Sequence, residues 1–172
     1  IRTMHERAGR RIAVLGHSQG GMSMRWALRF WPDTRPMVDD IIGMAPDNHG
    51  TTGGGACQEG TTSCVPADWQ QAASSHFIAA LNSRTETFRD ISYTNVFTHT
   101  DEEVKPSDTP ATASASLHSG GGPITNVHTQ DLFATAPHPH KPLGTGHPVT
   151  SPHVSAPLPP PPPAHPPARH PP

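Results

Sequence analysis

Over the first 133 residues the spacing of apolar and polar positions changes rhythm several times. "RIAVLG", residues 11–16, is a short β-branched run ending in Gly, the pattern of a strand buried on both faces. "GGMSMRWALRFWP" follows, with Met22, Trp26, Ala27 and Phe30 spaced to form one helical face, and Pro32 stops it. "VDDIIGMAP" reads as a second buried strand closed by Pro46, and "DWQQAASSHFIAALN" as a second amphipathic helix carrying Phe77, Ile78 and Leu81. "DISYTNVFTHTDEEV" is a third strand running into an acidic turn, and "PITNVHTQDL" a fourth, led in by "SGGG". Strands alternating with helices predict an α/β fold built on a parallel sheet.

From about Ala134 the character changes: 15 of the 22 prolines lie beyond it, and no Asp or Glu follows Asp131. "PLPPPPPAHPPARHPP" cannot form a helix or a central strand, because proline lacks the N–H and fixes φ. It reads as polyproline II or disorder. A ligand for a proline-binding domain is one use; a solvated tail, or translation in a shifted frame, is the plainer reading. Its histidines have no spacing that converges four metal ligands.

Composition narrows the partners. The chain is 33% apolar and 5% aromatic, with a net charge of −2. A pI near 6.7 gives no basic surface for nucleic acid or anionic lipid. No apolar run is long enough for a transmembrane helix, and no signal peptide opens the chain, which starts in what reads as the tail of a helix. Cys57 and Cys64, in "CQEGTTSC", bracket a Gly- and Thr-containing loop that a disulfide would close. The alternative is a pair of free thiols in a cytosolic loop; the disulfide favours a secreted chain. A metal site would need two more ligands, which the neighbourhood does not offer.

"GHSQG", residues 16–20, fits G-x-S-x-G, the turn that presents a nucleophilic serine between a strand and a helix. About one chain of this length in twenty would match by chance, so the context decides. Strand-like "RIAVL" precedes it and helix-like "GMSMRWALRF" follows, as the elbow requires. The strained backbone there tolerates only small neighbours, hence the glycines. A serine hydroxyl needs a base, and the base an orienting carboxylate. In this fold the order is Ser, acid, His. Asp101 follows the third strand, with Glu102 and Glu103 as possible substitutes. For the base, His118, His128, His138, His140, His147 and His153 all lie downstream, and spacing does not choose among them.

Three stretches carry a resemblance: "GHSQGGMSMRWALRFWPDTRPMVDDIIGMAPDNHGT", "DWQQ" and "YTNVFTHTDEEVKP". They resemble the lipase B type of α/β-hydrolase and its secreted bacterial relatives, over roughly residues 8 to 145, in the family's order. The resemblance implies Ser18 as nucleophile and Asp101 as triad acid. Family members have the catalytic His just before a Leu-Gly-Thr, and "NVHTQD" here leads to "FATAPHPHKPLGT", which implies His140 as the base and leaves His128 in the strand. The resemblance further implies Gln19 as a backbone donor to the oxyanion, and Asp47 and Gln71 as substrate-pocket residues. Cys57 and Cys64 resemble a pair found in bacterial relatives.

Against the family pattern, the chain begins just before the nucleophile strand, so the earlier strands and the loop holding the other oxyanion donors are missing. Phe133 stands where relatives often have a cysteine, and no final helix follows Thr145. The chain thus reads as a fragment: residues 1–145 a partial α/β-hydrolase domain, 146–172 a Pro/His-rich disordered tail. The implied function is a secreted serine ester hydrolase, a lipase or carboxylesterase, working through an acyl-enzyme. It needs no metal or organic cofactor. Its partner is an ester or acylglycerol substrate, met at a lipid interface by a monomer. The alternatives are an inactive remnant with a proline-rich interaction tail, and an acyltransferase or thioesterase sharing the triad.

Overall fold

The computed structural model describes residues 1–53, 62, 64–133 and 139–144; Cys57, His138, His147, His153 and the expected tail lie outside the described residues. Helix α1 (Arg2–Ala8) leads into β1 (Ile12–His17) and α2 (Gln19–Phe30), and a 3-10 turn over Pro32–Met37 connects to β2 (Val38–Met44). Next come α3 (Pro66–Gln70), α4 (His76–Asn82), β3 (Ser92–Phe97), β4 (Ile124–His128), α5 (Thr129–Leu132) and α6 (His140–Gly144). The strands form one sheet in the order β1-β2-β3-β4, with every neighbouring pair parallel. Register aligns Gly16 with Gly43, Asn95 and Asn126, so the strands finish together and their following loops gather at one edge of the sheet.

The main core forms where Leu28 of α2 meets Val38 and Ile41 of β2, Ile91, Tyr93 of β3, and Leu117. The expectation of a first strand buried on both faces does not hold. Ile12 and Val14 pack against this core, but Ala13 and Leu15 are exposed, Leu15 by 43%. β1 is an edge strand of the described sheet, and its Ile12 and Val14 face is the one packed on the core.

The helical face expected on α2 is also shifted. Its buried residues are Gly21, Met22, Arg25 and Leu28, while Phe30 is exposed. Trp26 instead stacks on Phe77 of α4 at 3.8 Å and tilts against Phe30 at 4.2 Å, a half-covered aromatic row along the flank. Arg25 is buried because its guanidinium finds acceptors on three segments: Asn48 Oδ1 at 3.2 Å, Asn82 Oδ1 at 2.7 Å and the Glu86 carbonyl at 3.3 Å. Burial lowers its pKa to about 10, so it stays charged at neutral pH.

The single helix expected over 68–82 is two. The Gln71 carbonyl accepts from the Thr51 N–H at 2.7 Å and the Ala73 N–H donates to the Thr51 carbonyl at 3.1 Å, which removes both from a helical ladder. Ser75 restarts the helix as an N-cap, its hydroxyl accepting from the Ile78 N–H at 3.1 Å.

Glu86 joins three segments. Its Oε2 accepts the N–H groups of His118 at 2.6 Å and Ser119 at 2.7 Å, and its Oε1 lies 2.6 Å from His49 Nε2. Burial works against the charge, but these hydrogen bonds outweigh it and hold the carboxyl down to about 2. Its folded pKa is below the unfolded value, so its contribution is full above the normal Glu range and disappears as pH falls through about 2. Glu86→Ala orphans two backbone donors, at about 1–3 kcal/mol each. A loss of about 3 kcal/mol in urea unfolding at pH 7 is the expected result.

Candidate active site

Ser18 stands between β1 and α2 with φ 55° and ψ −132°, a positive-φ conformation that non-glycine residues rarely adopt. Its N–H donates to the Met44 carbonyl at the end of β2 (2.9 Å), which ties the turn to the neighbouring strand. Of the motif's glycines, only Gly16 is crowded: a Cβ there would sit 2.5 Å from the Gly20 carbonyl. Gly20 itself faces open space, and Gly21 takes the second close approach, 2.7 Å from Pro46 Cβ. The expectation that both motif glycines answer to crowding is therefore corrected to Gly16 and Gly21. Gly20→Ala is expected to raise stability by up to about 1 kcal/mol through helix propensity. Gly16→Ala must displace backbone and is expected to lower the melting temperature; thermal unfolding of the two variants checks both.

Asp101 follows β3 and is 1% exposed. Its Oδ1 accepts the N–H groups of Glu103 (2.9 Å) and Val104 (2.8 Å), so the carboxylate is fixed by its own turn. Its Oδ2 lies 2.9 Å from Nδ1 of His140, which is 5% exposed. A carboxylate can only accept, so Nδ1 carries the proton and the lone pair of the neutral ring lies on Nε2. The His140 N–H donates to Glu102 Oε2 at 2.9 Å. The two adjacent carboxylates therefore divide His140 between them, one on the ring and one on the main chain. Burial lowers the His140 pKa, but the Asp101 hydrogen bond and the charges of Asp101, Glu102 and Glu103 outweigh it, and the net direction is upward.

Ser18 and His140 line one cavity of about 460 Å³, together with Thr51, Gln71, Glu103 and Val104. Gln71 is on the wall, its amide donating to the Ala67 carbonyl at 2.8 Å. Gln19 is the first residue of α2, so its N–H has no acceptor within the helix. His118 stacks near His49 at 6.0 Å, and His128 ends β4 against Phe97 at 5.3 Å. Of the cysteine pair, Cys64 is described and Cys57 is not. Among the described residues no group of three or more His, Cys, Asp or Glu is placed to hold a metal ion, and no helix is long and apolar enough to cross a membrane.

Asp47 is fully buried rather than on the cavity wall, and neither of its carboxyl oxygens meets a hydrogen-bond partner on another described residue. Burial pushes its carboxyl up to about 6, opposed by its own N–H and by His140. A raised acid pKa means that the folded chain holds the proton more tightly than the unfolded one. Stability therefore falls as pH rises from about 4 to about 6, by about 3 kcal/mol from this group. Asp47→Asn is expected to flatten that slope, read from urea unfolding at pH 4.5 and 7.5.

Two residues of the site carry no signal in the sequence pattern. Glu102 reads only as an alternative to its neighbour. His17 reads only as the variable position of the motif, yet its Nε2 lies 3.0 Å from the His140 carbonyl.

No protein-family model matches the chain. Lipase B of Pseudozyma antarctica is 35% identical over 96 residues, which are 56% of this chain and 28% of that protein. The crystal structure of Aspergillus fumigatus lipase B superposes with a TM-score of 0.67 and 30% identity, over 79% of this chain and 34% of that one. The chain thus spans about a third or less of the length of the relatives it matches. In sequence and in fold it is similar to the lipase B type, and its four parallel strands are a portion of the α/β-hydrolase sheet, with the elbow serine at its edge.

Proposed function

We propose that this chain belongs to a serine ester hydrolase in which Ser18 is the nucleophile, His140 the general base and Asp101 the residue that orients it. The observation that carries this reading is the buried Asp101–His140 hydrogen bond of 2.9 Å at the cavity onto which the strained Ser18 opens. With Nδ1–H held by Asp101, His140 takes the Ser18 proton on Nε2 as the serine oxygen attacks an ester carbonyl. Asp101 then faces the imidazolium this creates. The Gln19 N–H, at the positive end of α2, donates to the tetrahedral oxyanion; one such donor contributes about 2.7–4 kcal/mol. His140 returns the proton to the departing alcohol, and water, activated by the same base, releases the acid from Ser18. Gln71 contacts the substrate from the cavity wall. The substrates are carboxylic esters, acylglycerols among them, and a Cys57–Cys64 disulfide suits an extracellular chain.

The test is covalent labelling. A fluorophosphonate probe is expected to modify Ser18, located by peptide mass, and p-nitrophenyl butyrate to compete for it. A folded chain that takes no label at Ser18 and turns over no ester overturns the reading. The rates across p-nitrophenyl esters of increasing acyl length then separate esterase from lipase.

A further inference from the structure

His17, the residue that precedes the serine, is in contact with the residue proposed as base, 123 positions later. A carbonyl oxygen can only accept, so at 3.0 Å His17 Nε2 must be the donor to His140. Nδ1 of the neutral His17 ring is then unprotonated. Burial favours this neutral form and lowers the His17 pKa; the hydrogen bond to the His140 carbonyl opposes it, the charge on the His140 ring adds to it and Asp101 opposes it, and the net direction is downward.

Two further contacts fasten the same rings and helix. The His17 and His140 ring centroids are 4.6 Å apart at a 42° tilt. At the other end of α6, Gly144 lies against the His17 ring so closely that a Cβ would be 2.5 Å from His17 Cγ. Helix α6 has five residues and cannot hold its own conformation without tertiary contacts. His17 thus touches both its first residue and its last.

We propose that His17 is a positioning residue for His140: it seats α6 on the end of β1 by accommodating Gly144 against its ring and by hydrogen-bonding the His140 carbonyl. This inference rests on the reading of His140 as the general base. Three groups then divide the restraint of one histidine. Asp101 fixes the ring, Glu102 the N–H and His17 the carbonyl. The strand that delivers the nucleophile thereby also sets the position of its base, so any shift of β1 moves both together.

The test compares wild type with His17→Phe, which keeps a ring but loses the donor, and with His17→Gln, whose amide N–H reaches a similar position. His17→Phe is expected to lower kcat for p-nitrophenyl butyrate by about 10²-fold with KM little changed, since a small misplacement of a catalytic group has that effect. His17→Gln is expected to recover most of it. The second readout is the low-field proton resonance of His140 Nδ1–H in the absence of substrate, expected in wild type and His17→Gln and broadened in His17→Phe. A His17→Phe chain that folds and keeps both the resonance and kcat overturns the proposal. So does His17→Gln failing in both readouts while remaining folded. If wild type shows the resonance but no turnover, the hydrolase reading fails, and the resonance alone decides whether His17 positions His140.

Discussion

Ser18→Ala is expected to lower kcat for p-nitrophenyl butyrate on the order of 10⁶-fold while leaving the fold intact. The reason is mechanistic: no other hydroxyl occupies the strained turn at the start of α2, and His140 without a serine to deprotonate has only water to activate. Residual rate enhancement would come from substrate binding and the Gln19 N–H. Because the serine and the base act as one unit, the Ser18→Ala/His140→Ala double variant is expected to be no slower than Ser18→Ala alone. A double variant whose loss equals the sum of the two single losses would instead mean that the groups act independently, which the proposed mechanism does not allow. The backbone strain bears on stability too. Alanine has the same Cβ as serine, so Ser18→Ala keeps the φ of 55° and its melting temperature is expected to match wild type.

Asp101→Asn is the second large effect, about 10⁴-fold in kcat. The local geometry dictates it. The N–H groups of Glu103 and Val104 point at one oxygen of the side chain from 2.9 and 2.8 Å, so an asparagine must keep its carbonyl oxygen on that side. Its NH₂ then faces His140 Nδ1 and donates to it, which moves the ring proton to Nε2. The nitrogen that should receive the Ser18 proton is already occupied. The pH profile changes as well. In wild type, kcat/KM is expected to rise with pH through a midpoint above 6.5, because Asp101, Glu102 and Glu103 together outweigh burial and hold the proton on His140. Removing the Asp101 charge is expected to move the midpoint of the residual activity downward. A profile unchanged between the two proteins would assign the limb to another group.

Legibility from the sequence followed the range of the interactions. The strand-turn-helix around Ser18 is local, and its residues announce it: an apolar run, two close glycines and a helical pattern. β2, β3 and β4 are short apolar runs between turn residues and stand near their expected places, because a parallel sheet needs such runs. What depended on distant partners was hidden. The burial of Arg25 rests on Asn48, Asn82 and Glu86, which surround its guanidinium from other segments. The apolar run of β1 reads as doubly buried, since its letters do not tell that it is an edge strand with one face exposed. The gap after Gln71 was invisible because Thr51, in another loop, draws off its carbonyl. Asp101 and His140 were singled out by family resemblance, for spacing left Glu102, Glu103 and six histidines in contention. The role of His17 lies in a contact spanning most of the described chain, which no local pattern encodes.

The turn after β3 carries two consecutive carboxylates with different duties, and this limits how the chain can vary in length. Deleting one residue between Phe97 and Asp101 would bring Glu102 to the place of Asp101, with a longer side chain, and Glu103 to the place of Glu102. An inserted residue would move both carboxylates away. The count of residues from the end of β3 to Asp101 is thereby fixed. Insertions and deletions accordingly belong in the exposed stretch 108–112, clear of the buried run around Leu117 and of the Glu86 anchor at His118 and Ser119, and a library that randomises length should leave residues 98–102 untouched.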